Sequence, residues 1–250
     1  MNVQTFVLIV LLVHPTTSLF FHSVFLHRYT THKQFSMSFF WERVFFLLTF
    51  LFQGPAFLNP YAYAVFHLNH HDKSDTKNDS HSPRNFKNIF SMMWDTKKQF
   101  VKIRERKHPL CQIYGKEVTV EWKNFERFAD NPITIILMAI LFSLFYYFFA
   151  PVWWCWFFLP ITILNGPIQG AIVNWFGHKT GYRNFNINDH SKNVYQPIGW
   201  IMLGETNQNN HHTYPHSPNF AKRWFEIDLA YYVLIILHFF KIITLNKKPF

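Results

Sequence analysis

The chain is poor in cysteine, glycine and acidic residues. Only two cysteines, Cys111 and Cys155, occur in 250 residues, one in a charged stretch and one in an aromatic stretch. A disulfide framework, a cysteine-ligated structural zinc and an iron–sulfur cluster are therefore excluded. The eight glycines never form a Gly-x-Gly-x-x-Gly turn, and no His-Pro-Gly-Gly sequence occurs. Bound flavin, bound nicotinamide and a fused haem domain are accordingly not expected in this chain. No charged side chain lies between Thr134 and His178. An uncharged apolar stretch of that length has no place on a soluble surface.

Aromatic residues make up 20% of the chain, and the formal net charge is +10. The positive charges flank apolar runs and match no nucleic-acid-binding pattern, so they point to anionic lipid or to an acidic or phosphate-bearing partner, and not to nucleic acid.

Hydropathy divides the chain. Residues 1–26 read as one kinked N-terminal span, interrupted by His14, Pro15, His22 and Ser23. Residues 1–5 carry no positive side chain and no small-x-small cleavage site follows, which disfavours a secretory signal peptide. Residues 38–58 carry Glu42 and Arg43 near one end and Gln53-Gly54-Pro55 near the other, a costly pattern for a plain span, so they read as interfacial or re-entrant. Residues 72–130 read as a cytoplasmic loop region whose tract of Lys97, Lys98, Lys102, Arg104, Arg106 and Lys107 is a solvated face or a docking surface. Residues 133–175 form a transmembrane hairpin turning at Pro151 and the Trp153, Trp154, Trp156 cluster. Residues 228–245, followed by Lys247 and Lys248, read as an interfacial C-terminal helix. The expected fold is an all-α integral membrane protein with a single domain over residues 1–250. It would have about three spans, interfacial helices and a helical cap on the cytoplasmic side, the side set by the positive-inside bias.

Histidine is where the polar regions concentrate their chemistry. Eight of the fifteen histidines fall in four groups: His27-x4-His32, His67-x2-His70-His71, His178 four residues after Asn174, and His211-His212 three and four residues after Gln208 within residues 204–216. Spacings of three and four share a helix face. His27 and His32 would stand ~140° apart on a regular helix, which suits a helix end. One tetrahedral zinc needs far fewer ligands. Eight imidazoles, with Gln208 as a weaker ligand and Asn174 acting through water, suffice for two metals, and nitrogen ligation suits iron, copper, zinc or nickel.

In order and spacing these groups resemble the histidine boxes of the membrane fatty acyl desaturases, in particular the Δ9 acyl-CoA desaturase-like group. Gly181-Tyr182-Arg183, the Gly204-Glu205 lead-in and the ending Asn-Asn-His-His-Thr-Tyr-Pro extend the resemblance, which covers residues 20–243. It implies a cytoplasmic di-iron centre that uses O2 and two electrons to introduce a cis Δ9 double bond into a saturated acyl chain, carried by CoA or by a lipid. It implies a separate ferredoxin or cytochrome b5-type electron donor with its reductase, for which the basic loop offers a landing site. The same centre could hydroxylate, and an inactive lipid- or metal-binding relative is the reading from another class. Three positions depart from the family pattern: Gln208 replaces a histidine, Leu68 an arginine and Ser80 a proline. His81 and His190 are the next candidates to stand behind the ligands.

Overall fold

The computed structural model describes residues 1–79 and 81–246; Ser80, Lys247 and Lys248, singled out above, lie outside the described residues. Among the described residues the fold is all-α apart from one two-stranded ribbon. Helix α1 runs through Val3–Thr31, starting where the Asn2 side chain caps Thr5 N–H. It continues past the expected span end at residue 26 and carries His27 at its far end. Strand β1 (Phe35–Met37) leads into helix α2 (Phe39–Gln53), which stops at Gly54. That glycine has φ +58°, and a Cβ there would lie 2.5 Å from the Phe142 ring, so only glycine allows both the turn and the close approach. Asn59 and Pro60 then open helix α3 (Pro60–Lys73), with Asn59 Oδ1 accepting from Ala62 N–H.

The region over residues 72–130 is folded and not a plain loop. It holds helix α4 (Ile89–Arg104), started by an Asn88/Ser91 capping box, and helix α5 (Lys123–Ala129). Helix α6 (Pro132–Phe149) follows an Asn131 cap and turns at Pro151 into helices α7 (Trp153–Ile163) and α8 (Asn165–Gly177). Helix α9 (Gln208–Thr213) carries the last histidines, and helix α10 (Leu229–Phe239) precedes strand β2 (Ile243–Leu245). The apolar run at 228–245 is thus helical only to Phe239. Lys241, at φ +58°, reverses the chain, and Ile243 and Thr244 pair with β1 in antiparallel register, Met37 opposite Ile243. β-branched side chains favour this ending.

Among the described residues two helices, α1 and α6, are long and apolar enough to cross a membrane, and two bent pairs bring the total to as many as four. In α6 only 17% of the apolar window is buried by the rest of the protein, and Ile133, Ile136, Leu137, Ile140 and Leu141 all face outward. Such a surface requires lipid to cover it. The pair Phe39–Ala56 and Pro60–Lys73 is bent by 82°, the geometry of a broken or re-entrant segment. A core of Phe25, Leu26, Phe46, Leu203 and Leu234 sits where α1, α2 and α10 meet, beside the histidines.

Candidate metal centre

The end of α1 is π-helical over His22–Thr31. In this winding residue i bonds to i+5, so His32 N–H donates to His27 O at 3.1 Å and the hydroxyls of Thr30 and Thr31 reach back five residues. The wide winding undoes the ~140° separation of a regular helix: the rings of His27 and His32 lie 4.9 Å apart.

Six further histidines complete two groups. Ring nitrogens of His27, His32, His67, His71 and His211 all lie within 4.8 Å of one another, and so do those of His70, His178 and His212. Each His-His pair is split between the groups, His71 and His211 facing one way, His70 and His212 the other. Adjacent residues on a helix point ~100° apart, which is why a doubled histidine can serve two neighbouring positions. The groups adjoin, with the rings of His71 and His212 stacked at 4.3 Å.

The donor chemistry fits metal ions. His27 Nε2 and His71 Nε2 each approach His211 Nε2 to 2.9 Å, and His67 Nε2 lies 3.1 Å from His71 Nε2. The Nε2 atoms of His32, His70, His178 and His212 are buried without a hydrogen-bond partner. Left so, each costs about 1–3 kcal/mol; a cation in each group would satisfy His32 in the one and His70, His178 and His212 in the other.

Carboxylates orient the rings from behind. Nδ1 of His27 lies 2.5 Å from Glu205, of His70 2.9 Å from Asp79, of His178 2.8 Å from Asp75 and of His212 2.7 Å from Asp189. Donation from Nδ1–H fixes the tautomer that leaves Nε2 free to ligate. Burial alone would raise the pKa of Asp75, Asp189 and Glu205, but the hydrogen bonds and charges of their partners, His178, His212 and His27 foremost, outweigh it and all three are held below the usual carboxylate range. Burial pushes His212 down to about 4, which keeps it neutral at physiological pH.

Gln208 and Asn174 are placed differently. Gln208 Nε2 donates to the carbonyl of Glu205 at 2.5 Å, its Oε1 is buried without a partner, and Gly177 packs against it. Asn174 donates to Gly170 O at 2.7 Å and also bonds His81. The His81 ring meets the His70 ring edge to face at 5.5 Å, and the backbone N–H of His190 donates to Asp75. Leu68 packs in an apolar cluster with Phe66 and Val65. Sequence reasoning did not find Asp75, Asp79 or Asp189, and noticed Glu205 only as part of a motif. The available signal was three aspartates, Asp72, Asp75 and Asp79, directly after the second box in an otherwise basic region; of these Asp72 turns away to Tyr114.

Residues 3–235 match the fatty acid desaturase family. The chain belongs to the fatty acid desaturase family. It is 28% identical over 234 residues to the Delta-9 desaturase-like 3 protein of Arabidopsis thaliana, covering 89% of this chain and 71% of that one. Identity to the acyl-CoA C20 Delta5-desaturase of Anemone leveillei is also 28%, over 229 residues, with 89% and 68% covered. A hex-5-enoyl-[acyl-carrier protein] acetylenase of Moorena producens is 26% identical over 246 residues, with 84% and 67% covered. The two histidine clusters thus sit in a desaturase-family oxidoreductase, and its outward-facing apolar helices are those of a multi-pass membrane protein.

Proposed function

We propose that the protein is an O2-dependent fatty acyl desaturase that inserts a cis double bond into a saturated acyl chain at a di-iron centre. The observation that carries this reading is the convergence of eight buried or half-buried histidines into two adjoining all-nitrogen clusters. His27, His32, His67, His71 and His211 would hold one iron, and His70, His178 and His212 the other. Gln208 and Asn174 remain proposed as additional, weaker contacts, Asn174 through water. Bound iron, with O2 and two electrons, supplies the oxidising power to break unactivated methylene C–H bonds, which acid–base side chains lack. The protein's own part is positional. Glu205, Asp75, Asp79 and Asp189 hold four imidazoles by their Nδ1–H groups, and burial keeps water from the clusters.

An apolar cavity of about 610 Å³ lies between α1 and α6, walled by Val10, Val13, Phe142 and Phe145. It begins at Thr17, ten residues before His27, or about 15 Å along a helix. That distance suits the far end of an acyl chain and not the carbons to be oxidised.

The Δ9 position is proposed from the Δ9 desaturase-like relatives; the Δ5 relatives of like identity name the competing position. The carrier is CoA or a lipid, the histidine face is cytoplasmic, and a ferredoxin or cytochrome b5-type protein delivers electrons at the basic surface around α4. Expression in a host that lacks the products, with gas chromatography and mass spectrometry of its fatty acids, tests the reading. New double bonds that vanish with His211→Ala support it. Hydroxy acids would mark the centre as a hydroxylase, and an unchanged profile despite bound iron and a matched donor would mark an inactive relative.

A further inference from the structure

The two histidine clusters differ in the charge behind them. Each ring of the three-histidine set is backed by its own aspartate, and these carboxylates are buried, with side-chain exposures of 0–9%. Their other hydrogen bonds come from uncharged groups. Asp75 accepts from the Ser82 hydroxyl and His190 N–H, Asp79 from Asp75 N–H and His81 N–H, and Asp189 from Ser191. Behind the five-histidine set, Glu205 on His27 is the carboxylate partner, and its charge is met by the Arg28 guanidinium at 3.2 Å. Arg28 also holds Asp228 at 3.0 Å. Even with Asp228 counted, the five-histidine side carries one net negative charge against three on the other. Negative charge close behind a cation stabilises the higher charge state of that cation more than the lower.

We propose that the two metal positions are unequal: the three-histidine position, backed by Asp75, Asp79 and Asp189, favours the ferric ion, and the five-histidine position favours the ferrous ion. This rests on the di-iron reading above. When an external one-electron reductant acts on the diferric protein, the first electron converts Fe3+ to Fe2+ at the five-histidine position. The second does the same at the three-histidine position at a lower potential. No bond to a protein atom forms or breaks in either step.

The test is a redox titration of the purified full chain loaded with 57Fe, followed by Mössbauer spectroscopy. Two waves are expected, differing at least tenfold in the one-electron equilibrium constant, or about 59 mV. Asp189→Asn should shift the lower wave upward by a similar factor and leave the upper wave in place. Asp79→Asn repeats the measurement on a second ring should Asp189→Asn fail to fold. Two irons that reduce together, or a substitution that moves both waves equally, overturns the inference while the di-iron reading stands. Fewer than about two irons per chain overturns both.

Discussion

Gln208 stands in sequence three and four residues before the clustered His211 and His212, yet its amide nitrogen is bonded to the Glu205 backbone and its oxygen is buried without a partner. A neutral amide oxygen holds iron less tightly than imidazole does, so Gln208→His is expected to keep or raise iron content, measured by inductively coupled plasma mass spectrometry. Lost iron would give Gln208 a role other than ligand. The adjoining Gly177 has no room to grow, because a Cβ there would lie 2.5 Å from Gln208 Cγ. Gly177→Ala should lower stability by about 1–3 kcal/mol, read from thermal denaturation. Asp75 holds His178 through Nδ1, and Asp75→Ala should weaken metal binding about 10–100-fold in a chelator competition. The clustered histidines were legible in the sequence because doubled and helically spaced imidazoles have few structural uses. Their carboxylate partners were not, because Asp189 lies 23 residues before His212 and Asp75 lies 103 before His178, separations that only the folded chain closes.

At the scale of elements, the π-helical end of α1 decides how the first box works. It brings His27 and His32 together, and no feature of the six-residue motif announces the change of winding. The same stretch carries Arg28, which is fully buried among Glu205, Asp228 and the Phe220 ring. This ion-pair group ties α1 to the loop before α9 and to the cap of α10, so three distant segments keep a common register. Removing the cation leaves two buried carboxylates without their partner, and Arg28→Met should cost about 3–5 kcal/mol, measured by thermal denaturation in detergent. The end of the chain shows where apolarity misleads. Residues 228–245 are apolar enough for one interfacial helix, but Lys241 turns the chain and β2 pairs with β1. Strand pairing depends on a partner more than 200 residues away, beyond the reach of any local pattern.

For the whole molecule, all four histidine groups must face one side of the bilayer. The 82° bend between α2 and α3 is the geometry of a broken or re-entrant segment, and we propose the re-entrant form, which would return the run at 39–53 to the side it left. The sequence carries that message in Glu42, Arg43 and Gly54-Pro55, and the uncharged hairpin after Thr134 is equally plain. The count of spans is less legible, since bent helices such as α7 and α8 have the composition of a span without its straight length. In a Cys111→Ser background, Lys33→Cys and Lys107→Cys should react with a membrane-impermeant maleimide from the same side, and Trp153→Cys from the other. Lys33 and Lys107 labelled from opposite faces would mean that α2 crosses.

Eight histidines from four distant segments are proposed to form one two-metal site. Its most direct measurement is the metal content of the purified chain after anaerobic loading with ferrous iron and removal of excess. About two irons per chain are expected, falling to about one in His178→Ala, which removes a ligand from the three-histidine set alone. A chain that holds a single zinc and takes up no iron would contradict the account.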